Sequence, residues 1–486
     1  MRNPLLICVC LLSFLMFPAG MAEAVTLNPR GLGQVLIFPY YTVNAGQDTL
    51  ISVTNTGNRG KAVRLRFLEG YNNQDVIDFD LFLSPKDVWT GAITADAAGG
   101  ARLISQDHSC TLPALPAAGI AFSAPAAGND NGWPSGMERT REGSIQMFAL
   151  GDIVPGSATD TRTAHENHGQ PNDGTPPGCG EITTANVAAD LGTPGDELFG
   201  AGAIVDVGAG TYYPYNADAL AGFTSQVLYA PTVMEGPYLG SANSAEATHG
   251  VARAYVFTGR KALALDYARG EDAVSAVFMA KTLRNEFFNA SALGAATDWL
   301  VTFPTKQYYE DNPTAPFDFP FAGPGRLDVT VQADFFDHEE GAQATHAPPD
   351  GCGFLCPPSP PLALPYAVNV VRILPLHTAA QPSEVFTSKL STALLPFAFT
   401  PGTDLPPLGA GWVDLDLDGD TRVLAGGQLE ADGRAVALHG LPATGFMAYK
   451  VINANAQPGR LANYNGVFVH RSTFACSTEA TSSVCP

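Results

Sequence analysis

Between Thr49 and Val88 the chain alternates greasy and polar side chains. Thr49 to Asn55 keeps a period of two, Gly57-Asn58-Arg59-Gly60 is a turn cluster, and Lys61 to Leu68 sets Val63, Leu65 and Phe67 against Arg64 and Arg66. A two-residue period marks a strand buried on one side, so this stretch predicts a hairpin with one wet face. Phe79, Leu81 and Leu83 oppose Asp78 and Asp80 in the same way, before a Ser84-Pro85-Lys86-Asp87 turn and another strand from Val88. Strands spaced about eight to twelve residues apart, with turn signals between them, predict an antiparallel immunoglobulin-like β-sandwich over residues 25–100.

The pattern then weakens. Ala, Gly, Pro, Asp and Thr dominate 101–201, with only short apolar pieces such as Ile145 to Leu150, and the segment reads as long surface loops. Alternation resumes over 202–346, for instance in Ala203 to Val207, Val251 to Phe257, Asp298 to Pro304 and Arg326 to Phe335. Inside this region Glu271 to Phe288 places Ala276, Ala280, Leu283 and Phe287 at helical spacing with no Gly or Pro, predicting one helix over about 271–288. Residues 347–365 form a Pro-rich loop, and 366–486 return to strands such as Tyr366 to Leu374 and Gly445 to Ile452. The expected fold is mainly β, with one sandwich, a larger β-rich region and long loops. No period of 20–50 residues is present, which disfavours a solenoid or propeller.

Residues 1–24 carry a different pattern. Met1-Arg2 is a positive start, Leu5 to Phe17 is apolar, and Ala22-Glu23-Ala24 is a small-x-small cleavage site ahead of Val25. These are the parts of a secretory signal peptide. The apolar run is about thirteen residues, short of the roughly twenty that cross a bilayer, and no transmembrane helix is expected elsewhere. Bulky Ile7 before Cys8 disfavours lipoprotein processing.

Cleavage removes one charge of each sign, Arg2 and Glu23, and leaves the formal charge at −21. Such a balance excludes nucleic acid as a partner, because a duplex binder must bring Lys and Arg to phosphates. Cys110, Cys179, Cys352, Cys356, Cys476 and Cys485 survive cleavage, and an even count in an exported chain reads as disulfides. Proximity favours Cys352 with Cys356 and Cys476 with Cys485, leaving Cys110 with Cys179. The last pair closes a loop of roughly 70 residues, for which chain entropy gives about 4 kcal/mol.

Asp414, Asp416, Asp418 and Asp420, with Gly419 among them, are the sharpest local motif. Alternate carboxylates before a tight bend suit Ca²⁺, which takes six to eight hard oxygens, but Ala425 stands where a calcium loop carries its closing Glu. A strand with a polar face ending in a turn is the competing reading. His165-Glu166-Asn167-His168 lacks the four-residue spacing of a zinc protease helix, and no G-x-S-x-G elbow, P-loop or dinucleotide fingerprint is present. Tyr40-Tyr41, Tyr212-Tyr213 and Tyr308-Tyr309 put neighbouring rings on opposite faces of a strand, so one of each pair is buried; Tyr212 and Tyr308 are the candidate ligand-binding rings. Residues 25–43, with the Val35-Leu-Ile-Phe38 run, fit a strand of their own domain before a strand donated to a neighbour in self-assembly.

The runs NPRGLGQVLIFPYYT (28–42), KAVRLRFLEG (61–70), TDWLVTFPTK (297–306) and NYNGVFVHRST (463–473) resemble those of a group of uncharacterised secreted proteobacterial proteins. The resemblance implies a secreted, cell-surface or periplasmic setting in a Gram-negative bacterium and carries no activity or site residues. The structural motifs are stronger than the catalytic ones. The expected function is therefore a non-catalytic structural or adhesion-type protein facing an extracellular glycan, matrix or surface protein. Polysaccharide binding or degradation is the alternative, and a filament subunit the second.

Overall fold

The computed structural model describes residues 24–125, 133–165, 174–230, 236–242, 251–259, 261–290, 293–309, 316–317, 329–336, 342–344, 362–373, 383–394, 409–419, 422–478 and 485. The expected signal peptide, except Ala24, lies outside them, as do Cys352, Cys356, Asp420, residues 166–168 and most of the Pro-rich segment. Strand makes up 51% and helix 12%, so the chain is mainly β. Its ladders are antiparallel apart from Val368–Ile373 beside Ser391–Leu394. The sheets take a four-bladed, propeller-like arrangement, which the lack of a repeat had disfavoured. The larger sheets hold eight, six, five, six and five strands, so unequal units build it and no period marks it in the sequence.

The N-terminal part is two sheets face to face. Val35–Thr42, Glu142–Ile153, Lys61–Glu69 and Asp75–Leu83 run side by side in one, and Leu198–Asp206, Asp48–Asn55 and Val88–Ala95 in the other. Val63, Leu65 and Phe67 meet Ile51, Val53, Trp89 and Ile93 between them, the packing that the alternation predicts. The orders of the two sheets do not reproduce the four-plus-three arrangement of an immunoglobulin domain. Val35–Thr42 is flanked on both sides by strands of its own chain.

Three expectations need correction. The predicted hairpin does not form, because Asp48–Asn55 and Lys61–Glu69 lie in opposite sheets and the 57–60 turn crosses between them, and the polar face of the second strand is not wet: Arg64 and Arg66 are 1% and 3% exposed. Residues 101–201 are not all loop, since Glu142–Ile153 is a twelve-residue strand buried along its length in the middle of the largest sheet. Two bulges and two glycines hid it, and Gly143 is obligatory because a Cβ there would lie 1.9 Å from the Leu68 carbonyl oxygen. Beyond this strand come the short helices Ala158–Thr163 and Thr184–Asp190, with the Cys110–Cys179 disulfide beside them. The predicted 271–288 helix ends at Phe278, and Thr282–Phe288 is a strand between Ala410–Asp416 and Arg471–Thr473. Leu283, Asn285 and Phe287 are buried there with period two, and sheet pairing overrides the helical spacing that Leu283 and Phe287 also satisfy.

One core spans both parts. Val35, Ile37 and Phe148, on the back of the N-terminal sheet, pack into the same cluster as Ala273 and Val274 of the helix and Val413 and Leu415 of the C-terminal sheet. The start of the described chain closes the junction. Thr26–Leu27 pairs with Asp218–Ala221, while fully buried Val25 donates its N–H to Arg253 O at 2.8 Å and accepts the Tyr255 N–H at 2.9 Å.

Candidate functional site

The buried polar groups are spent on structure. Arg64 grips Asp80 with Nε and Nη2 at 2.5 and 3.1 Å and donates to Gly236 O; Arg66 pairs with Asp75, lies over the Tyr238 ring and donates to Pro237 O. The charged face of the hairpin formed by Lys61–Glu69 and Asp75–Leu83 thus holds down the 236–242 segment. Burial, then the Asp75 charge, pushes the Asp78 carboxyl up to about 7. Glu142 accepts from the Tyr40 hydroxyl at 2.8 Å, the Ser388 hydroxyl at 2.6 Å and the Lys389 N–H at 2.8 Å. Asp298, raised to about 6 by burial, accepts the N–H groups of Val385 and Phe386, and the two acids pin residues 383–390 across the core.

Ser109, His165 and Asp87 come together but do not form a nucleophile system. Both Ser109 Oγ (3.3 Å) and Asp87 Oδ2 (3.4 Å) approach the same nitrogen, His165 Nε2, and the Ser109 hydroxyl donates to Asp107 Oδ1 at 2.7 Å. A triad needs the acid on the other ring nitrogen, where it fixes the tautomer that accepts the serine proton.

The carboxylates of the predicted calcium motif are engaged separately. Asp414 Oδ2 takes Arg284 Nε at 2.8 Å and Nη2 at 2.6 Å, Asp416 accepts the Asp418 N–H at 3.0 Å, and Asp418 sits 3.6 Å from Lys281 Nζ and 3.4 Å from His439 Nδ1. No group of three or more His, Cys, Asp or Glu among the described residues is placed to hold a metal ion. Cys110–Cys179 and Cys476–Cys485 are joined as proximity predicts.

Of the three tyrosine pairs only Tyr212-Tyr213 divides as the alternation predicts: Tyr40 and Tyr41 are both fully buried, and Tyr308-Tyr309 lie in a 3-10 turn, with Tyr309 buried. Tyr212 is 54% exposed. It borders a shallow hollow of about 440 Å³ on the outer face of the N-terminal six-stranded sheet, where Leu50, Ala92 and Ile104 lie in a cross-strand row. Tyr308 is not on a surface platform: its ring packs against the core, and its hydroxyl accepts the Leu239 N–H at 3.1 Å.

A second cleft was not legible in the sequence. It measures about 770 Å³ and lies between the Thr282–Phe288/Ala410–Asp416 pair and the long ribbon of Phe446–Gln457 and Arg460–Val469. On one wall Trp412 stacks on Phe336 with centroids 4.0 Å apart and planes within 9°. On the other, Met447, Tyr449 and Val451 stand opposite Phe468, Gly466 and Tyr464 in the ladder, all on one ribbon face. Tyr449 stacks with Phe468, again within 9°, and its ring passes over Gly466, where a Cβ would approach to 2.7 Å. Two bonds fix the floor: Asn285 Nδ2 donates to Phe468 O at 2.8 Å and Trp299 Nε1 to Glu286 O at 2.9 Å. Trp412, Phe468 and Tyr464 remain 37%, 48% and 62% exposed. The signal for the site was Tyr464 and Phe468, four apart and so on one face of a strand, far in sequence from Trp412.

No protein-family model matches the chain, and neither a curated protein nor a solved structure does. No helix among the described residues is long and apolar enough to cross a membrane.

Proposed function

We propose that this is an exported, non-catalytic attachment protein of a Gram-negative cell surface or periplasm, which holds an extracellular partner in the Trp412 cleft. One observation carries the reading: the described cleft is walled by exposed rings on a fixed floor, and Glu286 is the one titratable carboxylate among its lining residues. An acid/base or nucleophilic mechanism needs partnered groups at the cleft; here they are consumed inside the protein. The leader pattern and the two disulfides support export. The N-terminal sandwich, immunoglobulin-like in its two-layer packing, serves as the rigid body that carries the ribbon.

Bacteria displaying the protein should be retained on matrix-coated surfaces at least tenfold better than cells displaying the Trp412→Ala/Tyr464→Ala variant, at equal surface amounts. Equal retention would overturn the assignment of the cleft. Turnover of a matrix polymer by the purified protein would overturn the non-catalytic reading.

A further inference from the structure

We propose that the Trp412 cleft is a binding site for an uncharged polysaccharide, whose sugar rings lie against the Trp412–Phe336 and Tyr449–Phe468 stacks. The inference rests on the attachment reading and names its ligand class. A pyranose has flat patches of C–H bonds and a rim of hydroxyls, so it needs a level aromatic surface with water or polar groups at the edge. In each wall the two rings are stacked within 9° of parallel, so Phe336 covers one face of Trp412 and fixes its plane, and Tyr449 does the same beside Phe468. Trp412 and Phe468 are exposed, so a ligand that keeps its edges wet fits them better than a wholly apolar chain does. The cleft volume of about 770 Å³ lies inside the range of roughly 300–1,000 Å³ typical of small-ligand sites, enough for a short run of sugar units and too small for a folded domain.

Charge selects among glycans. Among the described residues no Lys or Arg lines the cleft, Glu286 is exposed on its wall, and the chain carries −21 overall. Uronate and sulfated polymers meet repulsion with no cation to receive them. The Tyr212 hollow has an exposed ring but no second aromatic wall among its lining residues, and is the weaker platform.

The protein reports on its own cleft. Of its four tryptophans, Trp89, Trp133 and Trp299 are 1%, 7% and 0% exposed, leaving Trp412 as the one open to a dissolved quencher. Neutral β-glucan, mannan and chitin oligosaccharides should be titrated into the mature protein alongside alginate oligomers and an oligolysine, reading acrylamide quenching and calorimetric heat. At least one neutral glycan should shield Trp412 and release heat. Tyr464→Ala should weaken binding at least tenfold with the melting temperature unchanged, and Glu286→Gln should change it less than threefold. Shielding by oligolysine alone, lost in Glu286→Gln, would replace the proposal with a cationic peptide site. Shielding by alginate alone, or by none of the probes, would overturn it, as would glycan binding that survives both Tyr464→Ala and Trp412→Ala. Cell retention that still depends on the cleft while every neutral glycan fails would leave the attachment reading standing and remove this one.

Discussion

The Lys61–Glu69/Asp75–Leu83 hairpin and the Phe446–Gln457/Arg460–Val469 ribbon are both antiparallel pairs with alternating side chains, yet their faces end up reversed. In the hairpin the charged face is buried under the 236–242 segment, with Arg64 and Asp80 side chains 1% and 4% exposed. In the ribbon the aromatic face opens to water. Alternation separates two faces but does not say which is covered. The rigid region is the one in which charge was taken inside and matched, and the candidate site is where apolar rings were left out.

The largest effect expected on the buried side comes from Arg64→Ala. Removing one member of a buried ion pair costs about 3–5 kcal/mol, because the other charge stays desolvated and unpaired. Here the Gly236 carbonyl also loses its donor. Chemical denaturation should show the loss. Replacing both Arg64 with Met and Asp80 with Leu should recover only part of it, because the orphaned carbonyl remains. Recovery to the wild-type midpoint would mean that the pair, and not its hold on the 236–242 segment, is what matters.

Next comes Cys110→Ala, which frees a loop of sequence separation 69. Chain entropy puts the loss near 4 kcal/mol, less whatever order the loop retains when unfolded. The short helices Ala158–Thr163 and Thr184–Asp190 should lose protection from hydrogen exchange, while the ribbon keeps its own. Loss of protection in both would mean that the two regions unfold as one unit.

A smaller effect follows from pH. Burial holds Asp78 up to about 7 and Asp218 and Asp298 up to about 6, against roughly 3.9 for an unfolded Asp. The folded chain therefore keeps protons that the unfolded chain has released, so stability is greatest at the acid end of this window and falls as pH rises through 6 to 7. Asp78 faces Arg64, Arg66, Asp75 and Asp80. Asp78→Asn should flatten the decline in melting temperature between pH 5 and 7.5 by a few degrees. An unchanged slope would show that Asp78 is ionised in the fold throughout.

The same contrast explains what the sequence could and could not disclose. The runs 28–42, 61–70, 297–306 and 463–473 coincide with or overlap strands of the sheets, because a two-residue period is a local property of the backbone. Cys110–Cys179 was legible from cysteine arithmetic. The covering of Arg64 was not, since its lid comes from residues 172 positions away. Strand Thr282–Phe288 was misread as helix because Leu283 and Phe287, four apart, satisfy both periods, and only the neighbours Ala410–Asp416 and Arg471–Thr473 decide between them. The cleft was hidden for the same reason: Trp412 stands on one sheet and Tyr449 and Phe468 on another, and they meet only when the two sheets pack.

The smallest effect is expected where an ion pair stands on the open side. Arg284 and Asp414 are 44% and 18% exposed, and pairs of that kind contribute roughly 0–1 kcal/mol, screened further by salt. Arg284→Ala should therefore shift the melting temperature by no more than a few degrees, and less in high salt. Its consequence is electrostatic: Asp334 and Asp414 are direct cross-strand partners, and removing the guanidinium takes away the counter-charge that Asp414 has beside it. A divalent cation is the natural replacement. Millimolar Ca²⁺ should stabilise Arg284→Ala more than the wild type, in which Asp414 is already matched. Equal or greater stabilisation of the wild type would show that the Asp414, Asp416, Asp418 and Asp420 carboxylates take up calcium without displacing Arg284, and that the end of this strand is a cation site in its own right.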